Sequence, residues 1–218
     1  MPPSSSDEKF VAQSGLVYIV DDDTGVRGAL ARLLRSAGYF VSAFEAASDF
    51  LEQELVDGPA CLLLDLKLPK SNGLEVQEAL SKRQRSLPVI FISGFGSIPV
   101  TVRAMRAGAV EFLTKPCSDS DLLCAVNGAL AMDAAALDRR RDMEGYRQRY
   151  ESLTPREREV MRMVIGGLQN KQLAGHLGTS EITAKVHKRH VMEKMRAPSV
   201  ADLVRIAERL GIARSHSR

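Results

Sequence analysis

Two hydrophobic rhythms alternate over the first 130 residues, and only one of them continues afterwards. "LVYIV" (16–20), "ACLLLD" (60–65) and "LPVIFIS" (87–93) are short, almost uninterrupted apolar runs. Parallel strands covered on both faces read this way. Between them, "GVRGALARLLRSAG" (25–38), "ASDFLEQEL" (47–55) and "GLEVQEALSKR" (73–83) are amphipathic with helical spacing. "YFVSAF" (39–44) reads as a shorter strand, and "IPVTVRAMRAGAVEF" (98–112) as a helix leading into a fifth strand, "AVEFLTKP" (109–116). The order βαβαβαβαβα predicts an α/β, doubly wound parallel sheet of five strands with helices on both faces. Ligands in such folds sit at the carboxyl ends of the strands.

From residue 120 the pattern is helical only. Residues 120–150 read as a helix running into "LDRRRDMEGYRQRYES", where acids and arginines alternate without a strong apolar face. That predicts a solvated helical linker, too short for a claim of coiled coil. "LTPREREVMRMVIGG" then opens with Thr154 as N-cap, Pro155 at the first helical position and Glu157 closing a capping box. "QNKQLAGHLGTSEITAKVHKRHVMEKM" predicts a short helix (about 170–176), a Gly-containing turn and a longer helix (about 180–195), the punctuation of a helix-turn-helix. Ile182 and Val191 of the longer helix are expected to face the core. Ser199 with Asp202 caps a last helix, "VADLVRIAERLG". The predicted organisation is a disordered tail (1–13), an α/β domain (14–130), a helical linker (131–151) and an all-α four-helix domain (152–215).

Composition narrows the class. The 218 residues are 44% apolar and 26% charged, ordinary for a soluble protein. No apolar run approaches the ~20 residues that span a bilayer, and "MPPSSSDEK" lacks the order of a secretion signal. The reading is a cytoplasmic protein with no membrane partner. Cys61, Cys117 and Cys124 are odd in number and lack metal-ligand spacing; two lie in apolar segments and read as reduced core thiols. The net charge of +3 hides an asymmetry. Residues 1–130 hold 12 Lys and Arg against 16 Asp and Glu, whereas residues 152–218 hold 13 against six. An acidic front and a basic tail suggest modules with different partners, the second a polyanion.

"LVYIV" runs straight into Asp21, Asp22 and Asp23. Adjacent carboxylates at the end of a buried strand repel and lose solvation. Capping the next helix needs one carboxylate, and Asp23 suits that role. Asp65 also ends a strand, so the remaining acids should meet it. Converging carboxylates and backbone oxygens make a hard-cation site suited to Mg²⁺, which offsets the repulsion. Ser93 and Lys115 end two further strands on the same edge. A hydroxyl, an ammonium, a metal and a carboxylate in one crevice suit a phosphoryl group carried on that carboxylate.

"VDDD", "LLLDLKLPKSNG", "FISGFG" and "VEFLTKP" resemble the receiver domain of two-component response regulators, a flavodoxin-like fold, in order and spacing over nearly all of residues 14–130. The resemblance implies Asp65 as phosphoacceptor, supplied by a cognate sensor histidine kinase. It implies Asp21 and Asp22 around Mg²⁺ with Asp65 and the backbone carbonyl of Lys67. Ser93 and Phe112 would be the switch residues and Lys115 the phosphate-contacting lysine, across a cis bond to Pro116. Cys117 stands where a Phe is common, and Ser97 where an acid is common. In receivers the helix and strand of residues 98–112 belong to the face that pairs on activation, which implies a homodimer on phosphorylation.

In "SEITAKVHKRHVMEKM", Lys185, Lys188 and Arg189 share a helix flank. A solvated basic face is the ordinary fate of such a run, but the turn, the short preceding helix and the local charge of +7 fit a helix that enters a major groove. Residues 152–215 resemble the LuxR/FixJ-type DNA-binding domain. The resemblance implies double-stranded promoter DNA and RNA polymerase as partners. Lys185, Val186 and Arg189 would face the groove, with Lys171, Thr183 and Lys188 on phosphates. His190 stands where Asn is common, and His187 reads as structural. Three functions remain open at this point. One is a phosphorylation-switched transcription factor. A second is a phosphohydrolase, opposed by Lys67 standing where such enzymes carry a second acid. The third is a constitutive DNA-binding protein, opposed by the retention of Asp65, Ser93 and Lys115.

Overall fold

A computed structural model of the chain describes residues 15–213 apart from Lys70, Gln84, Phe95 and Gly96. The expected tail (1–13), the end of the expected second domain (214–215) and the last two residues of "FISGFG" lie outside the described residues. The chain forms two compact units that divide between Leu137 and Asp138.

The first unit contains β1 (Leu16–Val20), α1 (Thr24–Ser36), β2 (Phe40–Phe44), α2 (Ala47–Glu52), β3 (Ala60–Asp65), β4 (Lys67–Leu68), β5 (Ser71–Asn72), α3 (Gly73–Ser81), β6 (Val89–Ser93), α4 (Ile98–Arg106) and β7 (Glu111–Thr114). A long helix, α5 (Asp119–Glu151), begins in this unit and ends in the second. The five predicted strands form one parallel sheet in the order β2-β1-β3-β6-β7. β4 and β5, absent from the sequence reading, make a two-residue antiparallel pair directly after Asp65. Strand alternation sends Tyr18, Leu62, Leu64 and Phe91 to one core, and Val17, Ile19, Leu63, Ile90 and Ile92 to the other. β3 and β6 are buried at every position, which explains their unbroken apolar runs. The chain reverses its strand order between β1 and β3, and such a switch point opens a crevice at the strands' carboxyl ends.

α5 is the one helix among the described residues long and apolar enough to cross a membrane. Its Leu122, Val126, Ala129 and Leu130 are at most 2% exposed and fill the first unit's core, which accounts for that apolar stretch. Deeper along α5, Asp133 accepts from the Ala60 N–H at 2.9 Å and pairs with Arg85 at 2.6 Å. The polar segment after it is helical, as read, but it is not solvated all round: Tyr146 and Tyr150 pack on the second unit's core. Of the cysteines only Cys61 is buried, and burial with the nearby Asp133 charge pushes its thiol up to about 12; Cys117 is half-buried and Cys124 exposed.

The second unit continues with α6 (Pro155–Ile165), α7 (Asn170–Leu177), α8 (Glu181–Met195) and α9 (Val200–Arg209). Thr154 and Glu157 close the predicted capping box, and Ser199 caps α9 through the Asp202 N–H. Gly178 at φ 65° takes the left-handed conformation that ends α7 before Ser180 caps α8. A side chain there would be strained, so glycine sets the tight turn. Glu157 also reaches Lys194 at 2.7 Å, tying α6 to α8.

Candidate functional site

Strand register assembles the crevice. Val20 pairs with Leu64, Asp65 with Ile92 and Ser93 with Thr114. Asp21, Asp65, Ser93 and Lys115 therefore stand side by side along one sheet edge. The Lys115 ammonium donates to Asp21 Oδ2 at 2.7 Å and to Asp65 Oδ1 at 3.2 Å. Asp21, Ser93 and Asp65 are 1%, 1% and 7% exposed. The Lys115–Pro116 peptide is cis. Asp22 is exposed and borders a cavity of about 480 Å³ whose wall includes Leu51, Leu68 and Val76. Asp23 takes the capping role, accepting from the Gly25 and Val26 N–H groups at 2.8 and 3.0 Å. Phe112 is half-buried on β7 with its ring 6.1 Å from that of Phe91. Lys67 has an exposed side chain, and its backbone N–H bonds to Asp65.

Burial pushes the Asp65 carboxyl above its ordinary value; Lys115 pulls it down, and the Asp21 charge pushes it up again. Burial acts against the Lys115 ammonium, but Asp21 and Asp65 outweigh it and hold that pKa above 10.5. The two carboxylates have one ammonium between them, so the crevice keeps excess negative charge. Among the described residues, no group of three His, Cys, Asp or Glu side chains stands at metal-ligand spacing. The donors at the crevice are nonetheless all hard oxygens. With Asp22 the carboxylates exceed the ammonium by two charges, which fits a divalent cation such as Mg²⁺.

Two residues of the crevice escaped the sequence reading. Arg27 donates to the backbone carbonyls of Asp21 at 2.7 Å and Asp22 at 3.2 Å, holding the acidic loop from α1. Its signal was its place in the first turn after the cap. Gly73 approaches so closely that a Cβ would stand 2.8 Å from the Asp65 carbonyl oxygen. The "NG" before an amphipathic helix marks it only as a turn residue.

On α8, Ala184, Val191 and Met195 are fully buried. Lys185 and Arg189 are exposed, Val186 is 42% exposed and Lys188 is half-buried. Arg189 meets Glu193 at 3.0 Å, one turn along. Thr183 is exposed, with its hydroxyl 3.0 Å from that of Ser180, and Lys171 is exposed on α7. The expectation that Ile182 faces the core is corrected: it is 78% exposed, while Val191 is buried. At about 100° per residue, positions nine apart are separated by roughly 900°, half a turn out of phase, so both cannot face inward.

The chain matches the response regulator receiver domain over residues 17–127 and the luxR family of bacterial regulatory proteins over residues 151–213. It is 45% identical over 202 residues to nodulation protein W of Bradyrhizobium diazoefficiens, covering 93% of this chain and 89% of that protein. It is 36% identical to the transcriptional regulatory protein FixJ of the same organism, covering 91% and 97%. The solved structure of response regulator StyR matches with a TM-score of 0.81 at 44% identity, covering 89% of this chain and 98% of that one. Receiver domains generally bind Mg²⁺ at the phosphorylation site, and response regulators are expected to meet a sensor kinase and DNA. With a receiver-type sheet and its acidic crevice, followed by a helix-turn-helix unit bearing exposed basic residues, the chain belongs to the NarL/FixJ type of two-component response regulators, which are transcriptional regulators and not enzymes.

Proposed function

We propose that Asp65 is the phosphoacceptor, and that its phosphorylation by a cognate sensor histidine kinase controls dimerisation and promoter binding. The carrying observation is the Lys115 ammonium held against both Asp21 and Asp65 at the sheet edge. Burial gives Asp65 a fixed direction of attack, and its ionised oxygen takes the phosphoryl group from the kinase histidine. Lys115 is placed to follow the phosphoryl oxygens as charge builds on them, and Ser93 to donate to one of them from the end of β6. Asp21, Asp22, Asp65 and the Lys67 carbonyl would hold Mg²⁺, which supplies charge neutralisation for the incoming oxygens.

The signal then moves along β6 and β7 through Ser93 and Phe112. Couplings of this kind amount to roughly 1–3 kcal/mol. The α4 surface supports pairing: Ile98, Val102 and Met105 are 82%, 41% and 42% exposed and share one face at helical spacing. A second copy would bury that stripe and bring two α8 helices to half-sites about one helical turn apart. In this reading residues 14–130 are the receiver, 131–151 the linker and 152–215 the DNA-binding domain. Lys185, Val186 and Arg189 face the groove, while Lys171, Thr183 and Lys188 meet phosphates. The protein acts in the bacterial cytoplasm and activates transcription through RNA polymerase.

Acetyl phosphate with Mg²⁺ should add one phosphoryl group to the wild type and none to Asp65→Asn, read by intact-mass spectrometry. Equal labelling of the variant would sink the assignment.

A further inference from the structure

The outermost line of α8 is not basic at its start. With Ala184, Val191 and Met195 buried, the opposite side of the helix is the ridge Ile182, Val186, Arg189 and Glu193, at spacings of four, three and four. Ile182 is 78% exposed and Val186 42%, so the first half of the ridge is apolar, with Lys185 on its flank. A single exposed isoleucine needs no explanation. Two β-branched side chains one turn apart, on the face that carries Lys185 and Arg189, do call for one.

The first turn of α8 is also fixed in place. Ser180 accepts from the Thr183 N–H at 3.2 Å, and the two hydroxyls lie 3.0 Å apart. Ile182 sits inside that turn, and residues near the start of a recognition helix are the ones that meet base edges. Isoleucine and valine have no group that hydrogen-bonds a base. In the major groove the apolar feature that distinguishes one base pair from another is the thymine C5-methyl group. Ile182 and Val186 are about 6 Å apart along the helix axis, close to two base steps at about 3.4 Å each.

We infer that Ile182 is a specificity-determining residue, reading the methyl group of a thymine in each half-site, with Val186 against a second thymine two steps away. The inference rests on α8 being the helix that enters the groove. The ridge divides the work: Lys185 and Arg189 supply charge and hydrogen bonds, whereas the two aliphatic residues favour A·T pairs at fixed positions and penalise G·C pairs there.

A random duplex library can supply the binding site for the test. Duplexes are selected from it with the acetyl-phosphate-treated full chain, and each thymine of the selected site is replaced singly by deoxyuridine, which removes only the methyl. The wild type should lose about fourfold in affinity at the position facing Ile182, the fold-change for taking one methyl-sized group out of contact. Ile182→Ala should lose about as much on the thymine duplex and be indifferent to uracil at that position, while staying sensitive at the one facing Val186. Circular dichroism should show the variant folded, since an exposed site in a helix accepts alanine. Wild-type binding that is indifferent to every thymine methyl overturns the inference, as does a variant that keeps the full uracil response. Loss of binding in Lys185→Ala/Arg189→Ala beside an unchanged uracil response in Ile182→Ala would remove this inference alone. Unchanged binding in the double variant would remove the groove assignment beneath it.

Discussion

Asp21 and Ser93 are each 1% exposed, and Lys115 bridges two carboxylates across a sheet edge; Lys185 and Arg189 stand in solvent, Arg189 meeting Glu193 along its own helix. One region holds most of its charge in a largely buried, prearranged crevice. The other keeps them hydrated until a polyanion arrives. Asp65 and Lys115 are both shifted, by burial and by the charges beside them, so they are prepared for a small reacting group. In the proposed function, charges on α8 would gain their free energy by releasing counterions from DNA, which would make that gain depend on salt. Covalent chemistry proposed for one and reversible docking proposed for the other fit this difference in solvation.

The largest effect should come from the solvated region. Lys185→Ala with Arg189→Ala should reduce specific DNA binding by about 100-fold or more, leaving acetyl-phosphate labelling of Asp65 unchanged. Electrophoretic shifts read the first and intact mass the second. A Lys171→Ala or Lys188→Ala variant should weaken binding more evenly across sequences and flatten the log–log salt dependence by roughly 0.9. If the double variant bound DNA normally, α8 would not be the reading element and the contrast between the regions would fail.

Sequence legibility differed between the regions for the same physical reason. Buried strands leave long apolar runs, so β1, β3 and β6 were readable from that signal, whereas β2 and β7, exposed or half-buried at every position, were readable only from their place between helices; the strand ends placed Asp21, Asp65, Ser93 and Lys115 on one edge. Caps were readable as well, because Asp23, Thr154 with Glu157, and Ser199 act on neighbours in sequence. Contacts between distant residues were not. The pairing of Arg85 with Asp133 joins positions 48 apart, and the packing of Tyr146 and Tyr150 on the second core sits in a segment whose charges conceal it. Ile182 failed for another reason. A helix with few apolar residues gives no phase of its own, and only the buried set of Ala184, Val191 and Met195 fixes which side faces in.

A smaller effect tests whether Lys115 holds the crevice together. Lys115→Met keeps most of the side-chain length but leaves Asp21 and Asp65 facing each other without a cation. Breaking a fully buried pair costs about 3–5 kcal/mol. Lys115 keeps 24% of its side-chain exposure, so solvent screening reduces the expected loss to about 1–2 kcal/mol at pH 7. Urea titration in EDTA reads it. Adding Asp65→Asn to the same chain should restore part of the loss, because one of the two opposed charges is gone. A double variant as unstable as the single one would mean that Lys115 acts through packing.

The smallest effect is the pH dependence of Asp65 itself. Burial raises this carboxyl above its ordinary 3.8 in the folded state. The unfolded chain therefore gives up the proton first as pH rises. The residue's stabilising share is complete below the unfolded value and is lost as pH climbs through the folded one. Near pH 7 the wild type carries the cost of an ionised, partly desolvated acid, and Asp65→Asn does not. The variant should melt higher by roughly 2–4 °C at pH 7 in EDTA, and the advantage should shrink steadily towards pH 4. Lys115 titrates above 10.5 and leaves that window undisturbed. Millimolar Mg²⁺ should then raise the melting temperature of the wild type more than that of the variant, since a cation that binds only the folded crevice stabilises it by mass action. A variant that melts lower at pH 7, or a difference that does not change with pH, would show that the Asp65 charge is already fully compensated. The buried region would then hold its charges no less comfortably than the solvated one.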